Sequence, residues 1–495
     1  VAVSAAGPRV APAAAVGLAA LIADRRPRVL VLGDAALDGW VFGTTRRVAR
    51  DGPVPVVDAS SSRLAPGGAA NAAAALAALG ADVELVCALG DDPDGRMLRG
   101  LLADAGVRTS RCVLDPGTST TAKHRVVAGD QPVARYDAAS GTRPGPAAVR
   151  ALADQTTAAL ADHPDAVLVA DYGRVPAPVR RRVARARGRI PLLVVDAHDP
   201  TPWAALRPDA VCPSAAEAAD ALGVPHPRED RLTWGNDRAG ALRTATGAQE
   251  VLLTLDVDGA VWLGDAAPLC RPAGGRAASS AACGAGDVFA AAWTAAVAAG
   301  VPRPEALSLA QTAADVVVGL PGTAVCTTAA LASRLAAGDP GVVLSHRDLV
   351  TVLAERRAAG ARVVFTNGCF DVLHRGHVGY LREAAQLGDV LVVALNGDEG
   401  VRRLKGPTRP VNPVEDRAGV VGALAAVDLV TSFDTDSPVE LLDLVRPDVY
   451  CKGGDYTPDM LPETPVMERL GGEIRILGYL ADHSTSAIVA RAAGS

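Results

Sequence analysis

Lysine is nearly missing from this chain of 495 residues: three stand at Lys123, Lys405 and Lys452, against 46 arginines. Asparagine is almost as scarce, with Asn71, Asn236, Asn367, Asn396 and Asn412. Where a residue type is avoided this strongly, the survivors mark positions at which a substitute fails chemically. A compact ammonium and a planar guanidinium are not interchangeable against a phosphate. Aromatic residues make up only 3%, so Ala, Val and Leu must fill the cores. Eight cysteines show no CxxC pair, which argues against a zinc knuckle and fits scattered thiols in a reducing cytoplasm. No run of roughly 20 apolar residues goes unbroken by charge, Gly or Pro, so no membrane span is expected. The first 28 residues lack a basic leader and make a poor signal peptide. Their AAAVGLAALIADRR portion is expected to be a short surface helix. A net charge of −6 offers no long-range attraction to nucleic acid or to an anionic membrane. An anionic substrate must therefore be held by local groups.

What is present is an alternation of strand-like apolar runs with helical patterns, the signature of parallel α/β architecture in two parts. Strands are predicted at residues 28–34, 83–91, 166–172 and 191–197, with a hairpin over 251–264 that turns at Asp256 to Gly259. Ala-rich helices follow at 286–300 and 303–318. A shorter series has strands at 362–368, 389–398, 428–433, 448–455 and 473–479. Turn chemistry in AAGDPG and a helix start at SHRD place a boundary near 335–345. Domains over 1–335 and 345–495 are expected.

In the first part, AACGAGDVFAAAWTAAVAAG sets Gly284, Ala285 and Gly286 directly before a helix, where small residues let backbone N–H groups close on an anion. Asp287, on the first turn, is then placed to accept a proton from a substrate hydroxyl. Alone, GAGD is a weak motif that more often describes a tight Gly turn with an Asp cap. Its company is more specific: GDAALD, PGGAANAAAALAALG, ALGDDPDG, TTAKHRVVAGDQPVARYD, VLVADY and VVDA stand upstream in order. Over residues 28–330 this set resembles the ribokinase-like carbohydrate kinases. The resemblance implies a three-layer α/β fold with Asp287 as general base. It also implies sugar contacts from Asp34, Asp38, Gly67, Gly68 and Asn71, and a phosphate held by Lys123, Arg125 and Arg135. Nucleotide contacts are implied at Ser214 and Glu217 and at the Gly284–Gly286 turn. The chain departs from the family at Ala281, Ala282 and Cys283, at Ser214, and at Ala197–His198. These departures leave open a sugar-binding but inactive first part.

In the second part, FTNGCFDVLHRGHVGYL joins a strand to a helix through a loop, with His374 and His377 at the turn. A metal pair would need further ligands, and no His/Cys cluster offers them. A phosphate clamp at a helix start fits better. With LNGDEGVRRLKGPTRPVNPVEDR, VYCKGGDY and DHSTSAIV, the segment resembles the HxGH nucleotidyltransferases of cytidylyltransferase-like type, a Rossmann-like fold, over 345–490. That resemblance implies nucleotide contacts from Thr366, Asn367, Gly368, Phe370, Asp371, Asn396, Asp398, Lys405, Arg409, Lys452, Ser484, Thr485 and Ser486, with His374 and His377 as the catalytic pair. All three lysines and four of the five asparagines thus fall in expected sites.

Sugar kinase followed by nucleotidyltransferase in one chain resembles the bifunctional heptose-phosphate kinase/adenylyltransferases. That family implies ATP and heptose phosphates as partners and Mg²⁺ carried by nucleotide phosphates rather than by a protein cluster. It also implies a homo-oligomer, dimeric through the first part. The alternative is a transferase acting on another sugar phosphate or with CTP.

Overall fold

The computed structural model describes residues 12–478 except 130, 140–141, 228–229, 266, 274–282, 338–342, 359, 425 and 455–456. Ala281, Ala282 and the Ser484–Thr485–Ser486 segment therefore lie outside the described residues. The helix expected near the start runs Pro12–Arg25, with Ile22 fully buried. Contacts group residues 21–328 into one compact unit and residues 12–20, with those from 329 onward, into another. The helix Thr328–Ala337 packs into the second core through Ala332, so that unit begins ahead of the boundary expected near 335.

The first unit is built on an eight-stranded sheet. From one edge the order is Leu269–Arg271, Ala260–Leu263, Glu250–Thr254, Ala210–Val211, Leu193–Ala197, Ala166–Asp171, Arg28–Gly33 and Asp82–Val86. Its six strands from Glu250–Thr254 onward are parallel. They carry unbroken apolar runs such as Val29–Leu32, as strands covered by helices on both faces require. The hairpin turns at Asp256–Gly259 as predicted, and the two Ala-rich helices run Ala285–Ala298 and Arg303–Val318. The run 83–91 is instead broken into Asp82–Val86 and Ala88–Gly90, and the latter pairs with Val113–Asp115.

Sequence periodicity missed a separate four-stranded sheet, ordered Pro55–Gly68, Ala35–Val48, Ala122–Ala128, Gln131–Ala138. Much of it is exposed and rich in Ser, Thr and Arg, so it lacks the buried alternation that announces a strand. It delivers Asp38, Lys123 and Arg125 side by side, with Asp38 opposite Lys123 in register.

The second unit has six parallel strands in the order Val343–Leu344, Leu429–Phe433, Val390–Asn396, Val363–Gly368, Val449–Gly453, Glu473–Leu477. The chain winds outward from Val363–Gly368 in one direction and then returns to its other side. The ends of Val363–Gly368 and Val449–Gly453 therefore border the switch point where such sheets bind ligands. Two buried clusters, around Phe365 and around Leu391, line the two faces of this sheet.

Candidate active sites

Two alanine-rich helices shape the first site. Ala69–Ala78 and Ala285–Ala298 pack against each other, and small side chains let their axes approach closely. Their first turns meet. Asn71 Nδ2 donates to Asp287 Oδ2 at 2.9 Å and to the Gly284 carbonyl at 3.3 Å. Gly284 holds φ at +82°, and a Cβ there would lie 2.5 Å from Asn71 Nδ2, so the turn needs glycine. Tyr172, just past the strand Ala166–Asp171, donates its hydroxyl to Asp287 Oδ1. Burial raises the Asp287 carboxyl to about 6, against the pull of these two donors.

Around Asp287 opens a cleft of about 580 Å³ lined by Asp38, Gly68, Lys123, Arg125, Ser214, Glu217 and the Gly284–Gly286 turn. Asp38 pairs with Arg125 at 3.3 Å and accepts from Thr323 Oγ1 at 2.7 Å. Arg125 also stacks on Trp40, whose indole donates to Thr323 at 3.1 Å. Gly68 caps the Ala69–Ala78 helix at φ +58°, where a Cβ would meet the Asp34 carbonyl at 2.5 Å. Gly67 lies against the Asp38 carboxylate.

Two expected contacts, Asp34 and Arg135, lie outside the cleft lining, and two more, Ser214 and Glu217, line it with part of their bonding already used. The Asp34 carboxylate accepts the backbone N–H groups of Tyr172 at 2.9 Å and Arg174 at 3.0 Å. It fixes the turn beneath the cleft and is not among the residues lining it. Arg135 is half exposed and locked to Asp137 by two bonds of 2.7 and 2.8 Å, a strand-edge pair outside the lining. Ser214 and Glu217 form a capping box on Ala215–Leu222: Ser214 Oγ accepts from the Glu217 N–H at 3.2 Å, and Glu217 Oε2 accepts from the Ser214 N–H at 2.8 Å. They line the cleft, but one oxygen of Glu217 is already committed.

The second site sits at the switch point. His374 caps the helix Arg375–Ala385, and the His374 and His377 rings stack 3.8 Å apart. Burial, with the neighbouring His374 and Lys405, lowers His377 to about 4, so it is neutral at ordinary pH. Its Nδ1 is buried without a hydrogen-bond partner, as expected of a group that waits for a ligand. Lys405 ends the helix Asp398–Lys405 on the exposed side. Lys452 Nζ reaches Asn367 Oδ1 at 3.2 Å, the Tyr450 hydroxyl at 3.1 Å and Glu463 at 3.7 Å. Burial holds its ammonium below the usual lysine range.

Several residues expected at the nucleotide are also held by contacts within the protein. Asp371 is 1% exposed; its carboxylate accepts from Arg409 and, at 2.6 Å, from the Val411 N–H. Arg409 is therefore neutralised by Asp371 and supplies no free charge. Asn412 Nδ2 donates to the Asp371 carbonyl at 3.2 Å, and fully buried Arg417 donates to the Cys369 carbonyl at 2.6 Å and to Asp398 at 2.7 Å. The segment 409–417 is thus bolted to the 369–374 loop. Thr366 is buried against the Tyr380 hydroxyl at 2.6 Å, Phe370 packs in the core against His377, and Asn396 is 4% exposed near Cys369. Gly368 ends its strand against the Phe370 ring.

Sequence reasoning missed Tyr172, Thr323, Tyr450 and Glu463 as site residues. Only the DY ending of a predicted strand hinted at Tyr172, and nothing local marks Glu463. Among the described residues no group of three or more His, Cys, Asp or Glu is arranged to hold a metal, and no helix is long and apolar enough to cross a membrane.

Two families match the chain. One, described as pfkB family carbohydrate kinase, covers residues 28–330, and one described as cytidylyltransferase-like covers 365–491. A bifunctional protein HldE of Streptomyces coelicolor is 41% identical over 96% of this chain and 99% of its own length. Another from Alcanivorax borkumensis is 39% identical over 94% of this chain and 96% of its own length. Phosphofructokinase-2 of Escherichia coli, solved with fructose-6-phosphate, aligns with 63% of this chain and 98% of its own at a TM-score of 0.51. At 18% identity that likeness establishes the ribokinase-like fold and nothing more. A sugar kinase and a nucleotidyltransferase are joined here, and the chain belongs to the HldE family of bifunctional heptose kinase–adenylyltransferases.

Proposed function

We propose that the two sites act in sequence on one sugar. In the first, the C1 hydroxyl of D-glycero-D-manno-heptose 7-phosphate attacks the γ-phosphorus of ATP. The new O–P bond forms as the bond to the β,γ-bridging oxygen breaks, ADP leaves, and the hydroxyl proton passes to Asp287. Lys123 and Arg125 hold the sugar phosphate, Asp38 faces the sugar, Asn71 orients Asp287 from behind, and the Gly284–Gly286 turn receives the transferred phosphoryl group. After a separate phosphatase has removed the 7-phosphate, a C1-phosphate oxygen attacks the α-phosphorus of ATP in the second site. ADP-heptose forms and pyrophosphate departs, with His374 and His377 donating hydrogen bonds to the triphosphate and Lys405 and Lys452 neutralising its charge. The DHSTSAIV segment would add donors for the departing phosphates.

The observation that carries this reading is a buried carboxylate at a helix start, oriented by two donors inside a cleft, in a chain whose second unit sets an HxGH turn at a sheet switch point. Mg²⁺ belongs with the ATP. Glu217 commits Oε2 to its capping box, and its Oε1 lies 3.8 Å from His198 Nε2; a carboxylate oxygen on a residue lining the cleft is a hard donor, so the residues present fit such a cation. When bound, it would shield the phosphate charge. Exposed Val48, Val54, Leu64 and Tyr136 on and beside the four-stranded sheet support a homodimer through the first unit. Cys212 and Cys451, buried as free thiols, support a cytoplasmic location.

The test is mass spectrometry of products from ATP and the heptose 7-phosphate. A heptose bisphosphate alone, converted to ADP-heptose when a phosphatase is added, is expected. Preference for CTP over ATP with heptose 1-phosphate would overturn the adenylyl assignment.

A further inference from the structure

Tyr172 is clamped from several sides. Its backbone N–H is fixed by Asp34, its ring carries the Lys123 ammonium 5.2 Å from the centroid, and His198 meets it edge-on at 4.8 Å. A Cβ on Gly68 would touch the ring at 3.3 Å. So held, the phenol points its hydroxyl at Asp287 Oδ1 and donates to it, while Asn71 donates to Oδ2. Burial and the charge of Asp287 push the phenol well above the usual tyrosine range, so it stays a neutral donor wherever the enzyme works.

We propose that Tyr172 is a positioning residue for sugar phosphorylation, whose hydroxyl aims the Asp287 carboxylate at the substrate hydroxyl and favours its ionised form. The inference rests on the kinase reading, in which Asp287 is the base. The groups around that carboxylate pull in both directions. Burial, helped by Asp38, favours the protonated form, while Lys123, Asn71 and Tyr172 favour the ionised form. Asp196 and Glu217 act on the phenol itself and keep it protonated. Loss of the phenol hydroxyl leaves Asp287 with a single donor, less firmly aimed and holding its proton more tightly. A tyrosine that only filled space would be replaced by phenylalanine without either effect.

The experiment compares the full chain with Tyr172→Phe and with 3-fluorotyrosine at position 172, a stronger donor of nearly the same shape. Kinase kcat, KM and the pH profile of kcat/KM are measured with ATP and the 7-phosphate. Phenylalanine is expected to lower kcat about tenfold with KM little changed, and to move the acid limb up by about one pH unit. Fluorotyrosine is expected to move it down. Limbs that stay in place in both variants, or move in the same direction, overturn the proposal, and the fluorinated protein decides the matter if the phenylalanine variant does not fold. Asp287→Ala separates the two levels. An active Asp287→Ala enzyme refutes the kinase reading itself, whereas an inactive one with unmoved limbs refutes only the role of Tyr172.

Discussion

Asn71 and Asp287, 216 positions apart in the chain, share a 2.9 Å hydrogen bond because two alanine-rich helices bring their first turns together. One of five asparagines thus orients the proposed base. Asn71→Ala removes donors from both Asp287 and the Gly284 carbonyl, and should cut kinase kcat/KM by roughly tenfold or more. Asn71→Asp sets a second carboxylate against the first and should cost more and raise the acid limb. Initial rates of ADP release check both, and unchanged rates of adenylyl transfer from heptose 1-phosphate serve as the internal control.

The two reactions should part company in acid. Asp287, raised to about 6, loses its ionised form as pH falls through that value, so kinase kcat/KM should drop below about pH 6. His377, lowered to about 4, stays neutral from pH 5 upward and should add no limb to the transferase profile between pH 5 and 8. Parallel profiles of the two activities test this. The same lowering means that the unfolded chain takes up a proton that the folded one refuses. His377 therefore costs stability as pH falls from about 6.5 toward 4.

Asp371 is a structural anchor, and its substitution should read as instability first. Asp371→Ala leaves Arg409, whose side chain is 12% exposed, and the Val411 N–H without their acceptor. A loss of about 3 kcal/mol in unfolding free energy is expected by denaturant titration. Lys405→Ala, on the exposed end of its helix, should instead leave stability within about 0.5 kcal/mol while raising KM for ATP in the transferase reaction.

Much of this architecture could be read from local pattern. The strands with continuous Val and Leu, the hairpin at Asp256–Gly259 and the helix starts after Gly284 and His374 each depend on a few neighbouring residues. The four-stranded sheet was not legible, because its strands are exposed and its pairing joins distant segments. Site residues divided along the same line. Asp287 and His377 are defined by the turn they sit on. Arg409, Asp371 and Asp34 bear suitable charges, but only long-range packing reveals that those charges are already used. Ser214 and Glu217 show the ambiguity at its sharpest, since S-x-x-E describes a capping box as well as a ligand contact. Tyr172 gave only the hint of a DY strand ending and Glu463 gave none, because one tyrosine or glutamate at a strand or helix end carries no spacing.

The central claim is that one chain holds two independent phosphate chemistries, and a pair of variants tests it most directly. Asp287→Ala should form no bisphosphate from the 7-phosphate yet convert heptose 1-phosphate to ADP-heptose at the rate of the unaltered enzyme. His374→Ala/His377→Ala should form the bisphosphate normally and no ADP-heptose. Loss of both products in either variant, or ADP-heptose formed at full rate without the two histidines, would contradict the account.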